Sequence, residues 1–192
     1  SCRQEIYELI KGELVRGRQV YVVCPLVDES TDLQLRTATE MATELDEQIF
    51  PDYRVGIVHS RVKSDKRAQV MREFSQGKIE ILVATTVIEV GIDVTNATVM
   101  LVEQAERFGL AQLHQLRGRV GRGTEQSYCV FAHTQQPSIQ AKARLDVLSE
   151  TSDGFEIAER DLELRGPGDF FGTRQSGVPE FAVGELTRDH RI

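Results

Sequence analysis

Residues 19–24 read QVYVVC, are closed by Pro25, and decide the fold. A strand with one wet face alternates polar and apolar side chains. This run does not alternate and is rich in β-branched valine, as expected of a strand buried on both faces of a parallel sheet. Working outward, the same pattern predicts strands at 54–58 (RVGIV), 80–84 (EILVA), 98–103 (TVMLVE) and 127–132 (SYCVFA). The stretches between them carry apolar residues at helical spacing. Ser1 is the expected cap of a first helix with Ile6, Leu9, Ile10 and Leu14 inward, ending near Gly17. Thr31 and Gln34 form a possible capping box for a second helix, reaching about Gln48 with Met41, Leu45 and Ile49 inward. Ser64 is the expected cap of a third, which buries Val70, Met71 and Phe74 and stops at Gly77. Strands alternating with helices give an α/β fold, a parallel sheet with helices on both faces.

A chain of 192 residues with 40% hydrophobic content suits one well-buried domain with an extension. The formal net charge of −7 excludes a protein that coats nucleic acid over its whole surface, so any such binding is local. Residues 107–122 reverse the sign: they carry Arg107, Arg117, Arg119 and Arg122 and no acidic residue. Cys2, Cys24 and Cys129 lack the short spacings of a zinc or redox site and read as reduced thiols, while His59, His114, His133 and His190 are scattered. No metal site is expected. No apolar run approaches membrane-spanning length and no signal-peptide pattern opens the chain, so the expected location is cytoplasmic, with no membrane partner.

Residues 112–123, QLHQLRGRVGRG, interleave Arg117, Arg119 and Arg122 with Gly118, Gly121 and Gly123. Arginine stays protonated at any working pH, so three close guanidinium groups repel one another and call for an anion. Arg119 and Arg122, three apart, are expected on one side of a helical turn, and the glycines admit a close surface. Two readings fit: a contact to a triphosphate, or a solvated or phosphodiester-facing arginine surface.

Residues 85–93, TTVIEVGID, also admit two readings. In one, the hydroxyls of Thr85 and Thr86 meet a phosphate while Gly91 turns the chain so that Asp93 accepts from a ribose. In the other, Thr86 is a helix cap and Asp93 a turn residue. His59, Ser60 and Arg61 form a weaker group, since a lone histidine is more often structural. Residues 59–61, 85–93 and 103–109 all follow the C-terminal ends of predicted strands, where open α/β sheets bind ligands.

Beyond the last strand, residues 138–149 are predicted helical with Leu145 and Leu148 inward, and Gly154 is followed by an amphipathic helix through Leu164. Their short connection implies an antiparallel hairpin packed on the domain. Residues 165–177, RGPGDFFGTRQSG, read by composition as a surface loop, with Phe170 and Phe171 as apolar anchors and Arg165, Arg174 and Gln175 as polar reach.

Gln115, Gly118, Arg119, Gly121 and Arg122 resemble the QxxGRxGR motif of superfamily 2 helicases, whose second motor domain has the RecA-like fold. The resemblance implies that Arg119 and Arg122 reach the γ-phosphate of ATP held on another motor domain, with Gln115 placing that phosphate or the attacking water. ATTVIEVGID resembles the family's motif V, which implies nucleic-acid backbone contact by Thr85 and Thr86 and nucleotide contact by Gly91 and Asp93. His59, Ser60 and Arg61 resemble a turn that touches nucleic-acid phosphates, with Ser60 standing where the pattern has glycine.

DGFEIAERDLELRGPGDFFGTRQSG resembles the translocation motif shared by the RecG and Mfd families, and its GPG and TRQSG steps favour RecG. This implies a second motor domain over residues 1–135, then a hairpin and translocation loop over 136–192 in which Arg165, Arg174 and Gln175 couple ATP turnover to movement. The implied activity is ATP-dependent fork regression and Holliday junction branch migration on branched double-stranded DNA. No GxxxxGK[ST] or DExH sequence occurs, so ATP and Mg2+ are expected to be held mainly by a preceding motor domain, and the chain alone is expected to lack ATPase activity. Expected partners are that motor domain and a DNA-binding wedge domain of the same polypeptide, in a monomer. The alternatives are an Mfd-type translocase and a non-catalytic nucleic-acid-binding module.

Overall fold

The computed structural model of the chain describes residues 2–25, 31–59, 61–85, 94–133 and 137–165. Strand β1 (Gln19–Cys24) is buried at all six positions. Four further strands join it, β2 (Val55–Val58), β3 (Ile81–Thr85), β4 (Ala97–Val102) and β5 (Tyr128–Phe131), in the order β2-β3-β1-β4-β5. Every pairing is parallel, with Cys24 opposite Thr85 and Val58 opposite Ala84. The predicted strands are thus all present, and their ends differ from expectation by no more than one residue.

Side chains on a strand alternate between faces, and here each face meets a helical layer. Tyr21, Val23, Leu82, Ala84, Met100 and Val102 pack with Met71 and Phe74 of α3 (Ser64–Ser75) and with Leu110, Leu113 and Leu116 of α4 (Leu110–Arg117). Val20, Val22, Cys24, Ile81, Val83, Val99 and Leu101 pack instead with Ile10 and Leu14 of α1 (Cys2–Val15) and Ala38 of α2 (Thr31–Glu44). Two more helices, α5 (Ile139–Glu150) and α6 (Gly154–Arg165), add Val147, Leu148 and Ile157 to the first layer. Leu145 packs against it. The side chain of Ser138 caps α5 by accepting from the backbone nitrogen of Ala141, at 3.1 Å.

Three local expectations are corrected. Lys63, not Ser64, is the N-cap of α3, and it makes no side-chain capping bond. The second helix does not run evenly to Gln48: after Glu44 it widens into a π turn over Leu45–Ile49, closed by the Phe50 nitrogen donating to the Leu45 carbonyl at 2.8 Å. Pro51 explains the stop after Ile49, because the residue before a proline is pushed out of the helical region, and Phe50 has φ −131° and ψ 56°. The arginine-rich helix stops at Arg117, capped by Gly118, so Arg119 and Arg122 do not share a helical turn. Gly121 then takes φ +78°, a conformation that side chains rarely adopt. The capping pair expected of Thr31 and Gln34, and the cap expected of Ser1, lie outside the described residues and side chains.

Candidate functional site

Parallel strands place all their C-terminal ends on one edge, and that edge carries the first group of candidate residues. Thr85 ends β3 with 1% exposure, and among the described residues its hydroxyl oxygen has no hydrogen-bond partner. Buried polar atoms are seldom left so, because an unmade hydrogen bond costs about 1–3 kcal/mol. His59 follows β2 in a tight turn: its carbonyl accepts from the Val62 nitrogen at 3.1 Å and its Nδ1 from the Arg61 nitrogen at 3.3 Å. Burial, then the charge of Arg61, holds the His59 pKa below its ordinary value, which favours the neutral ring. Arg61, Lys63, Lys66 and Arg67 are exposed around the start of α3. Sequence reading stopped at Arg61; counting cations through 67 would have found the rest. Ser60, Thr86, Gly91 and Asp93 lie outside the described residues.

The arginine turn lies at the opposite edge. Helix α4 leaves the C-terminal edge after β4 and runs back, so Arg117 and the turn after it reach the edge where the strands begin. There a Cβ on Gly123 would approach the Thr95 carbonyl oxygen to 2.9 Å, and Arg18 pairs with Glu125 at 3.0 Å. Thr95 leads into β4 and Arg18 into β1. Arg122 is exposed, its Nε donating to the Gly118 carbonyl at 3.0 Å, and Arg119 is half-buried. Between them Val120 packs on the core. Gln115 is exposed on α4. The arginine turn and the pair Thr85 and His59 therefore occupy opposite edges of the sheet.

The cluster is also not one set. Arg117 turns inward, and its Nη1 donates to the carbonyls of Leu148 and Thr151, each at 2.9 Å. These are carbonyls at the C-terminal end of α5, which the helix itself leaves unsatisfied and which favour a cation. Its Nη2 lies 3.1 Å from His114 Nδ1. Arginine cannot accept, so that nitrogen is the acceptor and the ring proton sits on Nε2. A Cβ on Gly154, the first residue of α6, would come within 3.2 Å of that Nε2. Where an anion was expected, Arg117 meets a pair of neutral backbone carbonyls 31 and 34 residues away, which no local pattern announces.

The donor set fits a phosphate: two guanidinium groups and an exposed amide on a segment without acidic residues. Among the described residues, no group of three or more His, Cys, Asp or Glu is placed to hold a metal ion. No described helix is long and apolar enough to cross a membrane. Both cysteines of the sheet, Cys24 and Cys129, have thiols pushed up to about 12 by burial, which suits packing and not chemistry.

Compared with known proteins, residues 2–124 match the profile of the helicase conserved C-terminal domain, and residues 151–192 match that of ATP-dependent DNA helicase RecG, domain 3, C-terminal. The chain is 52% identical over 190 residues to the ATP-dependent DNA helicase RecG of Synechocystis sp., covering 99% of this chain and 23% of that protein. It is 50% identical over 186 residues to the RecG of Bacillus subtilis, covering 97% and 27%. A solved structure of RecG bound to a three-way DNA junction superposes with TM-score 0.72 at 45% identity, over 87% of this chain and 21% of that one. The chain spans about a quarter of the length of the curated relatives it matches. With a parallel five-stranded sheet, an arginine turn at one edge and a family profile over residues 2–124, the chain belongs to the helicase conserved C-terminal domain family and ends in a segment of the RecG type.

Proposed function

We propose that this chain is the second RecA-like motor domain, residues 1–135, and the translocation hairpin and loop, residues 136–192, of an ATP-dependent helicase that remodels branched double-stranded DNA by fork regression and Holliday junction branch migration. The observation that carries this reading is the arginine turn: Arg117 is committed to the hairpin while Arg119 and Arg122 stand on a glycine-broken turn at the sheet edge. The match of residues 151–192 to the RecG profile supports RecG over the Mfd type.

In this reading ATP, with Mg2+, supplies the phosphoryl group whose transfer drives movement, and both are held mainly by another motor domain of the same polypeptide. Arg119 and Arg122 act across the domain cleft, stabilising charge on that group; such arginines are worth about 10³–10⁵ in rate. Gln115 orients the γ-phosphate or the attacking water, and Gly91 and Asp93 meet the nucleotide. His59, Ser60, Arg61, Thr85 and Thr86 contact the DNA backbone at the opposite edge. The position of Thr85 at the end of β3, on the same sheet edge as His59 and Arg61, supports this. Arg165, Arg174 and Gln175 link nucleotide turnover to DNA movement. A DNA-binding wedge domain of the same polypeptide completes the machine, which works as a cytoplasmic monomer.

The test is DNA-stimulated ATP turnover and junction unwinding by the complete polypeptide. Turnover stimulated by forks and junctions, and lost in Arg122→Ala with folding intact, is the expected result. Wild-type turnover in Arg122→Ala would remove the assignment.

A further inference from the structure

We infer that Gly123 and Arg18 are positioning residues for phosphoryl transfer, forming a two-point mount that fixes the arginine turn to the starts of β1 and β4. The inference rests on Arg119 and Arg122 acting on the transferred phosphoryl group.

The first point is a close approach of backbone to backbone. A Cβ at Gly123 would stand 2.9 Å from the Thr95 carbonyl oxygen, closer than side-chain carbons come to other atoms. That oxygen belongs to the main chain leading into β4 and cannot swing aside as a flexible side chain would. Only glycine lets the turn settle this near, and Gly123 directly follows Arg122.

The second point is a polar bracket. Arg18 donates from Nη1 to Asn96 Oδ1 at 3.2 Å and pairs through Nη2 with Glu125 at 3.0 Å. Asn96 is itself held, donating to the Gly17 carbonyl at 2.9 Å and to Gln19 Oε1 at 3.4 Å. Gln19 is buried and donates to the carbonyls of Phe74 at 2.5 Å and Ile79 at 2.7 Å. The bracket therefore runs from the core outward to Glu125. A partly exposed ion pair adds little to stability. What it supplies here is direction, since Arg18 ties Glu125 to the same Thr95-Asn96 segment that Gly123 touches. With Val120 packed on the core between the two arginines and Gly123 seated on Thr95, Arg122 is held from both sides.

Displacing a transition-state contact by about 1 Å costs up to about 100-fold in rate. In the complete polypeptide, Gly123→Ala is expected to lower kcat for DNA-stimulated ATP hydrolysis by about 10- to 100-fold. The KM for ATP should change by no more than about twofold, since the contact is made in the transition state. Added to Arg122→Ala, it should cause less than a multiplicative further loss, because the part of its effect that runs through Arg122 is already gone. Arg18→Glu should lower kcat several-fold, and Glu125→Arg in the same chain should recover part of it, since the swap remakes the ion pair but not the donation to Asn96 Oδ1. A merely structural role would not yield that charge-swap rescue. Wild-type kcat in both Gly123→Ala and Arg18→Glu, with Arg122→Ala inactive, overturns the mount and leaves the arginine assignment standing. Multiplicative losses in the double variant also overturn it. Wild-type turnover in Arg122→Ala removes the assignment and the mount together. If Gly123→Ala fails to fold in a thermal melt, rescue of Arg18→Glu by Glu125→Arg supports the mount, and lack of rescue overturns it.

Discussion

Arg117 and Thr151, 34 residues apart, are joined by a 2.9 Å hydrogen bond from Nη1 to the carbonyl oxygen, and the same nitrogen donates to Leu148. One guanidinium thus closes the C-terminal end of α5 from the C-terminal end of α4. The arginine turn begins at the next residue, so hairpin and turn share one root.

Hydrogen bonds to a charged donor are worth about 1.5–3 kcal/mol each, and truncation leaves carbonyls unpaired. Arg117→Ala should therefore lower unfolding free energy by about 2–4 kcal/mol in urea titration. Arg117→Lys should recover little of it, since a single ammonium does not reproduce the planar fork that spans both carbonyls and His114. A loss under about 0.5 kcal/mol in Arg117→Ala would show the bridge to be incidental.

Arg122 contrasts with its neighbour. It is exposed, and its Nε bond to Gly118 is local to the turn. Arg122→Ala should leave stability within about 0.5 kcal/mol of wild type while suppressing ATP turnover in the complete enzyme by about 10³ or more. Gln175→Ala is expected to separate the activities in the other direction, retaining ATP turnover and losing branch migration. Equal loss of both in Gln175→Ala would deny it a coupling role.

Thr85 permits a clean division of fold from function. Its buried hydroxyl has no partner among the described residues, so the isosteric Thr85→Val should be neutral or stabilising in thermal denaturation. Binding to branched DNA should nonetheless weaken, by about the 1.5–3 kcal/mol of one hydrogen bond to a charged group. A variant that binds DNA as tightly as wild type would remove Thr85 from the DNA edge.

Cys24 and Cys129 give a test of burial. With thiols pushed up to about 12, both stay protonated at pH 8, and the thiolate fraction is about 10⁻⁴. Because a raised thiol pKa withholds the nucleophile until pH climbs toward it, alkylation at these two residues should be slow at pH 8 and rapid in urea, followed by peptide mass spectrometry. Fast native labelling at either residue would contradict its burial.

Much of the fold was legible because buried parallel strands have a local signature. QVYVVC marked β1 to the residue, and Gly17 and Gly77, at φ +73° and +71°, ended α1 and α3 where expected. The misses have physical causes of their own. A serine before a helical pattern suggests a cap, yet Lys63 took that position, and the second helix, which reaches Ile49 as periodicity implied, widens into a π turn after Glu44 that periodicity does not announce. At the candidate site, residue types were readable and roles were not, because three arginines in six residues look alike until their neighbours are known.

By itself the sequence determined an α/β domain with a parallel sheet, and an arginine-glycine stretch suited to an anion, since periodicity and charge are written locally. Only the tertiary structure decided that Arg117 serves the hairpin, that Gly123 touches Thr95, and that the arginine turn and Thr85 stand at opposite edges of the sheet. Those facts depend on partners tens of residues away and on α4 running back across the sheet, which a one-dimensional pattern does not encode.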